Sequence, residues 1–181
     1  MCYFGDRTPL SITVMHLLAL DPALRNTGYA ILTKEGSRTC SVQYGVIRNG
    51  PGLSMPACLV EIHRQIDELI CLHHPDACAV EGLIYIQNTR TAITLGAARG
   101  AALLAAAQHG LTIFEYAPRR VKQSVVGNGS AQKAQIGFMV RVLLELTETP
   151  EADAADALAI GLTHFRMHSS PIAAHRLIRP L

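Results

Sequence analysis

The sequence predicts a mixed α/β domain: three strands in an antiparallel meander, then parallel strands joined to them by helical crossovers. Three observations carry this reading. Short apolar runs separated by turn residues fill the first third of the chain. The apolar period changes from two to 3.6 at Met55. Beyond that point, short apolar runs alternate with longer helical segments, the pattern of a sheet covered on both faces.

Each element has its own signature. His16–Leu20 (HLLAL) is an apolar run stopped by Asp21-Pro22, hence a buried strand ending in a turn. Thr27–Thr33 and Arg38–Arg48 form two further strands around a Lys34-Glu35-Gly36-Ser37 hairpin turn. Met55, Leu59, Ile62, Ile66 and Leu69 make one apolar helical stripe, ended by His74-Pro75-Asp76. Ala77–Glu81 (ACAVE) is a fourth, buried strand closed by a carboxylate. Thr91–His109 is a helix rich in Ala and Gly, whose small side chains permit close approach of a neighbour or a second subunit. Gly110 closes it. Leu111–Tyr116 is the fifth strand. Arg119–Val126 is a short helix stopped by Gly127-Asn128-Gly129, and Ser130 is the expected cap of a helix over Ala131–Leu146. Thr149-Pro150 then opens a last helix running to about Met167.

Composition sets the outer limits. The chain has 181 residues, 49% apolar and 17% charged, enough for one domain that buries roughly 70% of its unfolded surface. An apolar fraction of that size excludes general disorder. No run approaches the ~18–20 apolar residues of a membrane-spanning helix. Five irregularly spaced cysteines point to a reducing compartment, the cytoplasm, rather than a disulfide framework. Residues 1–14 lack the pattern of a secretory signal and are expected to lie outside the fold. The domain proper is expected at 15–168, and 169–181 is expected to be a flexible, mildly basic tail.

The net charge of +2 is less informative than its distribution. Between Ile84 and Leu146 stand Arg90, Arg99, Arg119, Arg120, Lys122, Lys133 and Arg141 against Glu115 and Glu145. From Thr147 to His168 the balance reverses, with Glu148, Glu151, Asp153 and Asp156 against Arg166. A basic stretch leading into clustered acids suits a protein that holds a polyanion beside bound cations. Mixed charge on solvated helices fits the same pattern.

Four acids occupy positions that apolar packing does not explain. Asp21 and Glu81 each close a buried strand, and if those strands are neighbours both carboxylates emerge at one sheet edge. Asp153 and Asp156, three apart, share a face near the start of the last helix and can be laid across that edge. Four such carboxylates repel one another unless divalent cations share the site, and two Mg²⁺ ions on such a cluster can clamp a phosphodiester. Taken singly, Asp21 before proline also reads as a turn acid, and Asp153 with Asp156 as complements to a helix dipole. Glu81, at the end of ACAV, needs a partner under either reading.

Four segments, LALDPALRNTGYAIL (18–32), AVEGLIYIQNTRTAITLGAARG (79–100), EYAPRRVKQSVVGNGSAQKAQIGFMV (115–140) and ADAADALAIGLTHF (152–165), resemble the RuvC family of Holliday junction resolvases in order and spacing. The similarity spans about 15–168. It implies a ribonuclease H-like fold, a homodimer, and Mg²⁺-dependent endonuclease cleavage of four-way junction DNA. The implied products are paired symmetric nicks with 5′-phosphate ends, in recombination and DNA repair. Mn²⁺ is expected to substitute for Mg²⁺, and the RuvAB branch-migration complex is the implied partner. Carried over by motif, the metal-binding catalytic carboxylates are Asp21, Glu81, Asp153 and Asp156.

By the same resemblance, Lys122 contacts phosphate or the transition state and Lys133 the DNA backbone. Spacing alone leaves both as ordinary exposed lysines on either side of the glycine turn. Arg119, Arg120 and Arg90 extend the basic footprint. After Glu81 the family places an aromatic that stacks on an unpaired base. Here Ile84 stands at that position with Tyr85 beside it, so either Tyr85 stacks or Ile84 wedges the base step. Ala23 stands where the family commonly has glycine. Cys71, His73, His74 and Cys78 match no common zinc spacing, and His164 and His168 are read as surface residues. The alternatives from other classes are a catalytically silent four-way-junction-binding module, and an ATP-dependent phosphotransferase built on the same hairpin type.

Overall fold

Ten elements follow one another in a computed structural model that describes residues 14–82, 88–168 and 180–181. The antiparallel part consists of β1 (Val14–Asp21), β2 (Asn26–Glu35) and β3 (Arg38–Arg48). Helix α1 (Met55–His73) leads to β4 (Ala77–Glu81), and α2 (Thr89–Gln108) leads to β5 (Thr112–Tyr116). Three helices complete the fold: α3 (Pro118–Val126), α4 (Lys133–Leu143) and α5 (Ala152–His168). The sheet order is β3-β2-β1-β4-β5, with β4 and β5 parallel to β1. This is the five-stranded mixed sheet, flanked by helices, that the sequence predicts.

Strand alternation sorts the core into two halves. Leu17, Ala19, Ala30, Leu32, Ala77 and Ala79 face α3, α4 and α5. Leu18, Leu20, Ile31, Cys78 and Val80 face α1 and α2. The predicted stripe of α1 supplies Ile62 and Ile66, both fully buried. Ser54 caps α1 by accepting from the Ala57 N–H, Pro56 lies in its first turn, and His74 ends it in the left-handed region. Asn88 caps α2 by accepting from the Thr91 N–H at 3.0 Å.

Helix α5 lies between the sheet and the α3–α4 pair, and residues 157–165 are all buried. Its Ala- and Gly-rich sequence makes that possible, because small side chains let backbone approach backbone on both sides. One sequence expectation fails for this reason. His164 is not a surface residue but is fully buried, sharing a 2.9 Å hydrogen bond with the Tyr116 hydroxyl. His168, one turn on, is exposed, stacks on it, and donates from Nδ1 to the His164 carbonyl.

Two helix starts also differ from expectation. Ser130 does not cap α4, because its N–H and hydroxyl both donate to the Asn128 side chain. Gln132 is the cap, in a reciprocal box with Gln135. α5 begins at Ala152, two residues beyond Pro150. At the domain limits, Val14 already belongs to β1, and Pro180 and Leu181 lie against β5, with the Leu181 N–H donating to the Ile113 carbonyl at 2.9 Å. Residues 1–13 and 169–179 lie outside the described residues. Among the described residues, no helix is long and apolar enough to cross a membrane.

Candidate active site

Parity along the strands decides where the acids point. Asp21 follows Leu17 and Ala19, and Glu81 follows Ala77 and Ala79, so both carboxylates stand on the face that α5 covers. β1 and β4 are parallel neighbours with Leu20 paired to Val80, which sets Asp21 and Glu81 side by side at one strand-end edge. The turn after Asp21 is held by buried Thr27, whose hydroxyl donates to the Ala23 carbonyl at 2.7 Å. Asn49 fixes the outside of the same turn, donating to the Leu24 and Cys58 carbonyls at 2.8 and 3.3 Å.

Gly28, directly opposite Asp21 on β2, lets α5 in. A Cβ added there would stand 1.9 Å from the Asp153 carbonyl oxygen, so only glycine permits the first turn of α5 to rest on the strand. That docking carries Asp153 and Asp156 to Asp21 and Glu81. A cleft of about 320 Å³ opens there. Asp21, Glu81, Asp156, Lys122, Lys133 and Arg99 are among the residues that line it. Asp153 is not part of the lining, but its charge acts on Asp21.

The electrostatics show how tightly these groups are coupled. Burial, then the charges of Glu81, Asp156 and Asp153, push the Asp21 carboxyl up to about 7, with Lys133 opposing. Glu81 is raised by burial and by Asp156, while Lys133, Lys122 and Arg99 pull it back. The Lys133 ammonium donates to Asp156 Oδ2 at 3.1 Å, and that bond raises the lysine above its usual range. Half-buried, mutually repelling carboxylate oxygens are a hard donor set of the kind that Mg²⁺ or Mn²⁺ takes.

The acids act on one another electrostatically, as one negatively charged cup. Among the described residues, the one trio of His, Cys, Asp and Glu with ligand atoms within 4.8 Å of one another is Asp67, Cys71 and His109. That trio lies where α1 and α2 end, at the opposite edge of the sheet. Cys78 is fully buried in β4.

The remaining candidates divide. Lys122 on α3 and Lys133 on α4 approach the cleft from either side of the Gly127-Asn128-Gly129 turn, with Gly127 closing α3 in the left-handed region. Arg119, Arg120 and Arg90 are exposed and do not line the cleft. The Arg119 side chain packs over Gly129. Ile84 and Tyr85 lie outside the described residues. Two contributors escaped the sequence reading. Gly28 sits inside TGYAIL, where nothing but three-dimensional contact reveals its role. Arg99 enters the sequence reading only as one charge of the basic stretch, although a lone arginine amid LGAARGAALL is a signal of burial with a partner.

The family model for the crossover junction endodeoxyribonuclease RuvC matches residues 17–164. A RuvC crossover junction endodeoxyribonuclease of Akkermansia muciniphila is 52% identical over 165 residues, covering 91% of this chain and 98% of the relative. Its counterpart in Geotalea uraniireducens is 45% identical over 150 residues, 83% of this chain and 88% of the relative. The structure of Thermus thermophilus RuvC in complex with a Holliday junction substrate superposes with a TM-score of 0.82 at 30% identity, covering 92% of this chain and 99% of that one. A yeast mitochondrial Holliday junction resolvase shares the fold, with a TM-score of 0.61 at 14% identity over 84% of this chain and 78% of that one.

Proposed function

The chain belongs to the RuvC family of crossover junction endodeoxyribonucleases, and from that membership we propose how its residues resolve a Holliday junction. The reaction class follows from the family: hydrolysis of DNA phosphodiester bonds at a four-way junction, by nucleases that depend on a divalent metal. The observation that carries the residue assignment is the register of β1 and β4. It sets Asp21 beside Glu81 on the one face that α5 crosses with Asp153 and Asp156.

In this reading the four carboxylates hold Mg²⁺, two ions per site, with Mn²⁺ able to substitute. When bound, the ions supply Lewis acidity to the attacking water and to the departing 3′-oxygen, which leaves a 5′-phosphate. The chain's own residues do the rest. Asp21, raised to about 7 by burial and like charge, would hold a cation as a hard anionic ligand in its deprotonated form. Lys122 meets the phosphate near the scissile bond from α3. Lys133, held at Asp156, contacts the DNA backbone as a compact charge. Arg119, Arg120 and Arg90 add sequence-independent attraction. Ile84 or Tyr85 opens the base step at the crossover.

Paired, symmetric nicks call for two sites related by a two-fold axis, so the proposal includes a homodimer. The supporting surface is the outer face of α1 and α2. There Val60 and Leu104, both more than half exposed, line a groove with Ala97, Gly100 and Ala101, and Ile93 of α2 is exposed as well. Family membership supports a place in recombination and DNA repair, a cytoplasmic setting, and association with the RuvAB complex.

The test is cleavage of a synthetic four-way junction by purified protein in Mg²⁺ with mapped ends. Symmetric nicks carrying 5′-phosphates are expected. Tight binding with intact strands after prolonged incubation in Mg²⁺ or Mn²⁺ would instead identify a silent junction-binding module.

A further inference from the structure

Strand parity that sends Glu81 and its β5 partner Tyr116 toward α5 sends Glu115, which is paired with Val80, to the opposite face, toward α2. There Glu115 meets Arg99, which is only 8% exposed although it lies in the middle of an Ala- and Gly-rich helix. One arm of the guanidinium (Nη2) donates to the Glu115 carboxylate, and the other (Nη1) donates to the backbone carbonyl of Glu81. That carbonyl belongs to the last residue of β4. The next residue, Gly82, donates its N–H to the Tyr116 carbonyl at 2.8 Å. A Cβ on Gly82 would stand 2.9 Å from Glu115 Oε1, so the Glu115 carboxylate lies directly on this glycine.

A closed bracket results. Arg99 grips the main chain at Glu81 and orients Glu115, and Glu115 covers Gly82. α2, β4 and β5 are thereby tied together at the point where β4 presents a carboxylate to the cleft. We propose that Arg99 is a positioning residue for Glu81, fixing the end of β4 so that the carboxylate is presented to divalent cations in one orientation, with Glu115 holding Arg99 in place. The proposal rests on the assignment of Glu81 as a metal ligand. A planar, two-armed donor is needed because the two acceptors lie in different directions. An outer partner that orients a metal ligand typically governs affinity by about 10- to 100-fold when lost.

The experiment compares Arg99→Met, Arg99→Lys and Glu115→Gln with Glu81→Gln in the full-length chain. Readouts are Mn²⁺ binding by electron paramagnetic resonance, the Mg²⁺ concentration for half-maximal junction cleavage, junction binding in Ca²⁺, and melting temperature. Arg99→Met is expected to weaken Mn²⁺ binding and raise the Mg²⁺ requirement by about 10-fold or more, with junction binding retained. Glu115→Gln should move both in the same direction by less, and Arg99→Lys should restore part of the loss. Should Arg99→Met fail to fold, Arg99→Lys and Glu115→Gln carry the test on the same readouts. Unchanged metal dependence in the folded Arg99 and Glu115 variants, with Glu81→Gln losing Mn²⁺, overturns the positioning role alone. Mn²⁺ binding undiminished in Glu81→Gln overturns the ligand assignment on which it rests.

Discussion

At the scale of single residues, burial and like charge act on Asp21 in one direction. Its carboxyl titrates near 7 in the fold and near 3.8 when unperturbed. Below about pH 4 the group is protonated in both states and costs nothing. As pH rises toward 7 the unfolded chain releases the proton first, so stability is lost across that interval. Asp21→Asn in the absence of metal should therefore melt level with the wild type near pH 4 and above it from pH 7 upward, read by thermal denaturation. Lys122 and Lys133 should separate by readout. Lys122→Ala is expected to slow cleavage more than it weakens binding, whereas Lys133→Ala should weaken binding and flatten its salt dependence, measured by gel shift at several ionic strengths. Gly28→Ala drives a Cβ into the Asp153 carbonyl. It should cost about 1–3 kcal/mol of stability and lower cleavage with it, because the acids of α5 are displaced.

At the scale of elements, α5 supplies a test of a different kind. His164 is buried against Tyr116 and Phe114, and its Nε2 has no hydrogen-bond partner among the described residues. Burial, reinforced by His168 and Lys34, lowers it to about 3. Between pH 6.5 and 3 the unfolded chain takes up a proton there that the folded chain refuses, so stability falls as pH falls. His164→Phe should remove that part of the slope, seen as a smaller drop in melting temperature on acidification. The strands were legible from apolar runs and turn residues, and Arg38–Arg48 and Ala77–Glu81 end where the sequence places them. The burial of His164 was not legible, because an all-round small-residue helix shows no stripe from which to read its solvent face. Ser130 misled because Asn128 claims it in a turn, a choice invisible to capping preference. The four acids were selected as strand-end and helix-start anomalies. What brings them together, Gly28 beneath Asp153, is a contact between elements far apart in sequence.

At the scale of the whole molecule, the sheet divides labour between its faces. One face, under α3, α4 and α5, carries the acids and lysines. The other, under α1 and α2, presents an apolar exterior that a second copy can cover. If the proposed homodimer closes on that face, Leu104→Asp, in its groove, should yield monomers by sedimentation while leaving each domain folded. Such monomers are expected to convert paired cuts into slow, uncoupled single nicks, scored on a cruciform plasmid as nicked circles in place of linear product.

All of this depends on carboxylates from two strands and one helix acting together on bound DNA. The most direct measurement follows one synthetic mobile junction, bound and incubated with Mg²⁺, beside wild-type protein and its Asp21→Asn and Glu81→Gln variants. The account predicts that both variants hold the junction with wild-type affinity and leave it uncut over the time in which the wild-type protein cuts it to completion. Either variant cutting at the wild-type rate would contradict it.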